Sequence, residues 1–440
     1  MFDGGRRYVF RLHKGVRWSD GTTLTARDFE YAWKRVLNRR IGSPSASMLF
    51  IVKGATAYHQ GDGATPDQLG VRALDDETLE IKLESPAGYF LHLLTYCATF
   101  AVPQHVVRTH GAAWTKLENI VTNGPFRLES REPGKTMTLS RNPAYHGRFE
   151  GNLERVELDL TVPWVEGARL EKYDVDGLDL GAAYDLPPVS RQIALQRHAE
   201  EYVMSPMFWT DFIGFDVRRP PFDDVRVRRA FVLATNREEL ANIERQGEVL
   251  PAIGGYVPPG MPGHSPGIGL PYDPDEARRL LVDAGYSAST GRRLPTIRAY
   301  MGSLSPEERE HLCVRWRDNL GAEITWLKAP EPEQPAHMFV SAYLADFPDA
   351  HDFLGTDFLY GKTGWKDETY SRLVTEAACL LDQAERVALY ARADRRLIEE
   401  ASIMPLFYGQ CRQLMKPWVK RFPVSQLKFW YWKDVILEPH

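Results

Sequence analysis

The sequence predicts an α/β protein with two or three domains. A strand at 296–301, a helix at 306–320 and a strand at 323–327 follow one another in the β-α-β order typical of α/β lobes. Capped helices and short strands alternate elsewhere, and the length of 440 residues exceeds what a single hydrophobic core supports. The composition, with 43% hydrophobic and 26% charged residues, is that of a globular chain.

The segment at 8–37 predicts a strand, a turn and a capped helix. Residues 8–12 are β-branched and aromatic, as strands prefer, and the Asp-Gly pair at 20–21 favours a turn. Thr25 and Asp28 have the spacing of a capping box, in which a hydroxyl and an acidic side chain satisfy the first amides of a helix. Apolar residues at helical spacing follow, so a helix is predicted to begin there.

Short strands are predicted through the next hundred residues. Two strands are expected within 71–83, a hairpin within 126–139 and a further strand at 153–160, because apolar and polar residues alternate there. A helical pattern at 103–114 lies between the first pair and the hairpin.

Helices dominate the predictions for the second half of the chain. A short apolar strand is predicted at 212–215, and a helix follows at 224–234. The Asp-Pro pair at 273–274 predicts the start of another helix, since aspartate is a good N-cap and proline is favoured at the first helical position. Long helical patterns occupy 374–400, and 403–408 is an apolar strand.

Composition and motifs exclude several function classes. The net charge of −5 gives no reason to expect nucleic acid or an anionic membrane as a partner. No apolar run reaches the roughly 18 residues that cross a bilayer, and the first residues lack the apolar core of a secretory signal. No HExxH, GxSxG or dinucleotide-binding fingerprint occurs, and the Gly-Lys-Thr at 361–363 lacks the earlier glycine of a phosphate-binding loop. We therefore predict no catalytic residue, no metal ligand and no cofactor.

Cysteine usage points to free thiols rather than a metal site. No CxxC pair occurs, and isolated cysteines are usually buried as small apolar residues. Four widely separated positions could form disulfides, but buried free thiols are the favoured expectation: Cys97, Cys313, Cys379 and Cys411.

A family resemblance is carried by seven separated segments that occur in a fixed order. They are YVFRLHKGVRWSDGTTLTARDFEYAWKRVL (8–37), LGVRALDDETLEIKLESPAGYFLHLL (69–94), IVTNGPFRL (120–128), LSRNPAYHG (139–147), PPFDDVRVRRAFVLATNREEL (220–240), YDPDEARRLLVDAGY (272–286) and MPLFYGQCRQLMKPWV (404–419). Together they resemble the family-5 extracellular solute-binding proteins of ABC importers, most closely the oligopeptide-binding type.

The resemblance implies a two-lobed α/β clamshell, the type II (cluster C) periplasmic-binding-protein fold, with an extra subdomain inserted in lobe I. Lobe I would comprise 1–20, 125–215 and 409–440, the inserted subdomain 21–124, and lobe II 216–408. Crossovers near 212–216 and 407–415 would form the hinge. The family's opening segment is expected to be absent from this sequence, and within 165–188 its usual pattern is reduced to a short remnant.

The resemblance also implies a binding site in which a peptide pairs with an extended protein segment and the lobes close over it. The aspartate that pairs with the ligand's free α-amine falls at Asp346, and Asp349 is the second choice. The remaining predicted ligand contacts are Ala342, Tyr343, Leu344 and Phe347. From the residues alone, Asp346 with Asp349, Asp352 and Asp357 is typical of an acidic loop facing water.

The function implied is capture of short peptides and their delivery to ABC permease subunits. We expect a monomer, located in the periplasm or at the cell surface, that binds no nucleic acid. Three alternatives stay open. One is a cytoplasmic ligand-sensing domain of a transcriptional regulator, which the missing signal peptide favours. Another is a binder of another small solute on the same fold. The third is a decayed or truncated copy that binds no ligand.

Overall fold

The computed structural model describes residues 1–161, 168–183, 186, 188–243, 248–287, 290–329, 335–427 and 430–440. The chain divides into two compact units. Unit 1 comprises Met1–Val203 and Arg412–His440, and unit 2 is the continuous segment Met204–Cys411. Both passages of the chain from one unit to the other lie within long strands.

The helices and strands are as follows. Unit 1 begins with β1 (Arg7–Arg11), α1 (Ala26–Leu37), α2 (Ala55–Gln60), β2 (Val71–Ala73), β3 (Thr78–Lys82), α3 (Phe90–Leu93), α4 (Gln104–His110), β4 (Phe126–Glu132), β5 (Thr136–Arg141), β6 (Arg155–Asp159), α5 (Ala168–Asp174), β7 (Leu180–Ala182) and α6 (Pro188–Arg197). Strand β8 (Tyr202–Phe215) leads into α7 (Val225–Leu233), α8 (Arg237–Ala241), β9 (Leu250–Pro251), α9 (Pro274–Asp283), β10 (Ile297–Tyr300), α10 (Pro306–Leu320), β11 (Ile324–Leu327), β12 (Met338–Leu344), α11 (Ala350–Leu354), α12 (Thr356–Thr363), α13 (Glu368–Cys379) and α14 (Gln383–Glu399). Strand β13 (Ile403–Met415), β14 (Val419–Arg421) and β15 (Ile436–Leu437) complete the chain.

Small sheets characterise unit 1. Strands β1, β3 and β2 form one antiparallel sheet, and β4, β5 and β6 form another. Helix α1 begins at the predicted capping box, where the backbone amide of Thr25 donates to the Asp28 carboxylate at 2.9 Å. The helix is anchored by the buried Trp33, whose indole donates to the Thr99 carbonyl at 2.9 Å.

The core of unit 1 depends on both of its chain segments. One buried cluster combines Phe126 and Val156 with Val419 and Val435, which follow the return of the chain from unit 2. A second cluster, around Tyr173, includes Leu414. Because hydrophobic burial dominates folding, the last thirty or so residues are part of this unit's stability rather than a loose tail.

Unit 2 has the predicted β-α-β order at the edge of a mixed sheet. Strands β11, β10 and β12 are parallel neighbours in the order β11–β10–β12, and β12 then pairs antiparallel with β8. Helix α10 connects β10 to β11 and begins at a capping box, in which the Glu308 amide donates to the Ser305 hydroxyl at 3.1 Å. Its buried Trp316 packs against Phe231 of α7, so helices cover the sheet and close the core.

Most element predictions agree with the structure, with three differences. The helical pattern at 374–400 divides into α13 and α14, because Asp382 caps a new helix start and accepts from the Glu385 amide at 2.9 Å. Strand β8 begins ten residues before the predicted 212, and β13 extends seven beyond the predicted 408.

The cysteine prediction was right on pairing but wrong on burial for three positions. All four cysteines are free, and Cys411 is buried. Cys97 is exposed, whereas Cys313 and Cys379 are partly exposed. Cys97 lies in a short helical turn and Cys379 at the end of α13, whereas Cys313 lies in the middle of α10 and is only partly covered.

No helix within the described part of the chain combines the length and the apolar character needed to cross a bilayer.

Candidate ligand-binding site

The candidate site begins with strand β12, which carries different pairing on its two edges. Against β8 the antiparallel ladder runs the whole length of the strand, from Met338 opposite Phe215 to Leu344 opposite Trp209. Against β10 the parallel ladder covers Met338 and Phe339. The predicted ligand strand is therefore held firmly from one side, and its β10 ladder stops near its beginning.

Asp346 lies just after β12 and carries a carboxylate that has no cationic partner among the residues that the structure describes. The side chain is partly buried, and burial raises the pKa of its carboxyl above the usual range. Among the described residues, no lysine, arginine or histidine side chain forms an ion pair with it. A partly desolvated carboxylate in this position favours any cation that can reach it.

Asp352 of α11 lies directly beside Asp346. One carboxyl oxygen accepts the Asp346 backbone amide at 2.6 Å, and the other accepts the Tyr343 hydroxyl at 3.2 Å. Burial above all, together with the nearby charge of Asp346, raises the pKa of Asp352 to about 8, although these hydrogen bonds oppose the shift. The group is therefore mostly neutral at pH 7.

Edge-to-face aromatic packing fixes the side chains around the two carboxyl groups. The Tyr343 ring lies edge-on to Phe353 with centroids 5.1 Å apart, and Phe353 lies edge-on to Tyr256 at 5.2 Å. Burial raises the pKa of Tyr343, and the charges of Asp352 and Asp346 raise it further. Tyr343 therefore stays a neutral hydroxyl that can donate to Asp352.

Asp349, the second choice for the ligand amine, already has a cation. Its carboxylate pairs with Arg386 at 2.5 Å, with both side chains buried, and it also accepts the His351 amide at 3.0 Å as the N-cap of α11. A charge satisfied in this way is part of the fold. The side chain of Asp357, which is near in sequence, lies outside the described residues, as does part of 165–188.

The other predicted contacts lie on the same strand and the turn after it. Ala342 and Leu344 are partly exposed and pair with Asp211 and Trp209 of β8. Phe347 is buried, and its amide contributes a hydrogen bond to Asp352. These residue assignments stay predictions.

Comparison with known proteins decides the family. The family model described as bacterial extracellular solute-binding proteins, family 5 (middle), matches residues 1–365. The chain belongs to the family-5 bacterial extracellular solute-binding proteins.

The similarity to relatives and to solved structures extends over nearly the whole chain. The probable deoxycholate-binding periplasmic protein YgiS of Escherichia coli is 30% identical, with 100% of this chain and 84% of that protein covered. The periplasmic oligopeptide-binding protein OppA of the same species is 28% identical, with coverage of 94% and 78%. The solved structure of the Escherichia coli murein tripeptide-binding protein MppA superimposes with a TM-score of 0.80 at 25% identity, over 99% of this chain and 88% of that one. The predicted α/β solute-binding-protein fold is thereby confirmed.

Three further groups that the sequence did not nominate lie at or next to the candidate site. They are Asp352, Tyr256 and Asp394, which the fold brings together from three separate segments. Asp394 of α14 is wholly buried, and one of its oxygens accepts the Tyr256 amide at 2.8 Å. Burial raises its pKa to about 7 although backbone amides donate to it. Within the described residues, no group of three or more histidine, cysteine, aspartate or glutamate side chains is arranged to hold a metal ion.

Proposed function

We propose that this chain is the peptide-binding component of an ABC importer, and that it captures short peptides through their free α-amine and acts without catalysis. The partly buried Asp346 carboxylate, which has no cationic partner among the described residues, carries this proposal. A peptide ammonium would supply the missing charge in a charge-assisted hydrogen bond. OppA, the 28% identical relative, is named for oligopeptide binding and supports the same substrate class.

The strand geometry supports recognition of a peptide backbone. The β10 ladder covers Met338 and Phe339, whereas the β8 ladder continues to Leu344. An extended peptide can therefore lie along the later part of β12 by strand addition, with its amino terminus at Asp346. Main-chain pairing of this kind gives affinity with little dependence on the ligand's side chains.

Amphipathic acids are the second candidate class, because the 30% identical relative is named as a probable deoxycholate-binding protein. Deoxycholate carries a carboxylate rather than an ammonium. Asp346 is a carboxylate that has no counter-ion within the described part of the chain. Like charges repel strongly in a partly desolvated site, so we favour the amine-bearing ligand.

Transport, rather than intracellular regulation, is the proposed context. The matching family is described as extracellular, and the named relatives YgiS and OppA are periplasmic. We propose that the loaded protein is a monomer that delivers its peptide to ABC permease subunits in the periplasm or at the cell surface.

Isothermal calorimetry with trialanine, N-acetyl-trialanine and deoxycholate tests the proposal. We expect trialanine to bind and acetylation to abolish or greatly weaken binding. Asp346→Ala should weaken trialanine binding by about thirtyfold or more, since removing one member of a desolvated charge pair costs about 2 kcal/mol or more. Asp318→Asn, a change at an exposed position of α10, is the matched control and should leave affinity unchanged.

Two results would overturn this assignment. Equal affinity for free and acetylated trialanine would show that Asp346 does not recognise the ligand's free α-amine. If deoxycholate bound saturably and peptides did not bind, the ligand class would be amphipathic acids rather than peptides.

A further inference from the structure

We propose that Asp352 positions the ligand amine by holding the amine-binding segment in place. Its single carboxyl group binds the Tyr343 hydroxyl and the Asp346 backbone, and it releases its proton to solvent when a cationic ligand binds beside Asp346. This inference rests on the proposed function, because it assumes that the ligand brings an ammonium group.

The first argument is the geometry of Asp352. Its two oxygens are used on different parts of the site, at 2.6 Å to the Asp346 amide and 3.2 Å to the Tyr343 hydroxyl. The Phe347 amide adds a third contact. One side chain of α11 thus joins the end of β12 to the turn that carries the proposed amine-binding carboxylate, and holds the backbone of Asp346 in place.

The second argument is a buried hydroxyl beside Asp352. Tyr256 is wholly buried, and within the described part of the chain its hydroxyl has no hydrogen-bond partner. The Tyr256 ring packs edge-on to Phe353, the residue after Asp352, and after burial the charge of Asp352 raises the Tyr256 pKa most, so the two groups lie within electrostatic range of each other. A buried hydroxyl rarely lacks a hydrogen-bond partner, so this unpaired donor near Asp352 is one that the ionised carboxylate would attract.

Among the described residues, the charges around Asp352 do not offset the cost of burying its ionised form. The groups that face it are Asp346 and Tyr343 from β12 and its turn, Tyr256 from the loop after β9, and Asp394 from α14 behind Tyr256. On its own helix, burial lowers the pKa of His351 to about 4, so this imidazole is neutral at pH 7. The adjacent Asp349 is neutralised by Arg386. No cation among the described residues therefore stabilises the ionised form of Asp352.

An entering ammonium changes this balance in a defined direction. Its positive charge favours the carboxylate form of Asp352, so the proton passes to solvent and the bound state carries fewer protons than the free protein and ligand. Affinity for an amine-bearing peptide should therefore rise with pH, by at most about tenfold per pH unit for one proton. The rise ends near pH 8, where the peptide's own α-amine, with a pKa of about 7.7–8.0, loses its charge.

Calorimetric titration of the full chain with trialanine tests the inference directly. Measurements at pH 5.5, 6.5 and 7.5, each in two buffers of different ionisation enthalpy, count the protons released on binding. We expect the unmodified chain to release a large fraction of one proton and to bind more tightly as pH rises. Asp352→Asn keeps an oxygen to accept the Asp346 amide but cannot titrate, so it should bind with much less proton release and a flatter pH profile.

Two further variants separate positioning from titration. Asp352→Ala removes the acceptor as well and should lose affinity at every pH, whereas the asparagine variant should retain most of its affinity at pH 6.5. Asp318→Asn should match the unmodified chain in both affinity and proton count. The pH dependence that Asp346 itself contributes persists in the Asp352→Asn variant, because burial also raises the pKa of Asp346.

The outcomes are distinguishable. Equal proton release by the unmodified chain and Asp352→Asn, with tight trialanine binding by both, would overturn the role of Asp352 and leave the proposed function intact. Absence of trialanine binding in every variant and at every pH would overturn the proposed function and this linkage together.

Discussion

Three buried or nearly buried aspartates of unit 2 show how the same side chain acquires different roles from its neighbours. Asp349 is paired with Arg386 at 2.5 Å and caps α11, so its charge belongs to the fold. Asp352 is held by amides and a hydroxyl, and Asp394 by backbone amides. For the last two, burial dominates and raises the pKa of each carboxyl towards or above neutrality.

The raised pKa of Asp394 leads to a prediction about protein stability that involves no ligand. Its folded pKa of about 7 lies above the unfolded value of about 3.9, so the native state binds the extra proton and its stabilising effect is greatest below pH 4. That contribution is lost as pH rises from about 4 to 7, at a rate of at most about 1.4 kcal/mol per pH unit. Between pH 4 and pH 8, the midpoint temperature of thermal unfolding should therefore fall less steeply with pH for Asp394→Asn than for the unmodified chain. Parallel curves would show that Asp394 is ionised in the native state.

The sequence nominated Asp346 for the candidate site, and that assignment stays a prediction. Asp346 could be predicted because its position after the 339–344 strand is local and matches a family register. Asp352 is close in sequence, but an acidic residue in a run of acids is indistinguishable from a solvated one until its burial is known. Tyr256 lies near it from a segment about a hundred residues before, Asp394 contacts the Tyr256 backbone from about forty residues after, and no local pattern reports such contacts.

At the scale of elements, prediction succeeded where the deciding chemistry is local. Helix α10 has the predicted bounds, because Ser305 and Glu308 cap its start and Gly321 adopts the left-handed conformation at its end. Strands β8 and β13 are longer than predicted. Residues at 202–206 and 409–413 include polar or partly exposed side chains that do not form an apolar run, and sheet pairing rather than local pattern sets the strand limits.

The pairing of β12 with β8 leads to a prediction about β12, the strand on which the ligand is proposed to lie. Gly214 of β8 lies opposite Phe339, and a Cβ atom there would overlap the Phe339 ring. Gly214→Ala should therefore displace that ring, destabilise unit 2 by about 1–3 kcal/mol and weaken trialanine binding. Thermal unfolding and calorimetry measure the two effects.

A second glycine provides the control. Gly361 lies in α12 with open space around its Cα, so Gly361→Ala should be neutral or stabilising by up to about 1 kcal/mol. Similar effects from both alanine substitutions would mean that Phe339 adapts without cost, and that β12 is less constrained than its ladder indicates.

At the scale of the whole molecule, the two units use the chain differently. The main core of unit 2 lies within its own continuous segment, from Ile213 of β8 to Phe407 of β13. Its first and last strands are neighbours in one sheet, so its chain ends are joined by hydrogen bonding. Unit 1 draws its core from two segments that are more than two hundred residues apart.

This asymmetry predicts that unit 2 can fold alone and that the first segment of unit 1 cannot. A fragment of residues 204–411 should give a cooperative thermal transition and native-like near-ultraviolet circular dichroism, because its buried cluster stays complete. A fragment of residues 1–203 lacks Leu414, Val419 and Val435 from its buried clusters, together with the 2.7 Å ion pair between Lys416 and Asp176. It should melt without cooperativity, and addition of a peptide of residues 412–440 should restore a transition. A cooperative transition in 1–203 alone would show that the returning segment adds little to unit 1, whereas a failure of 204–411 to fold would mean that its core depends on unit 1.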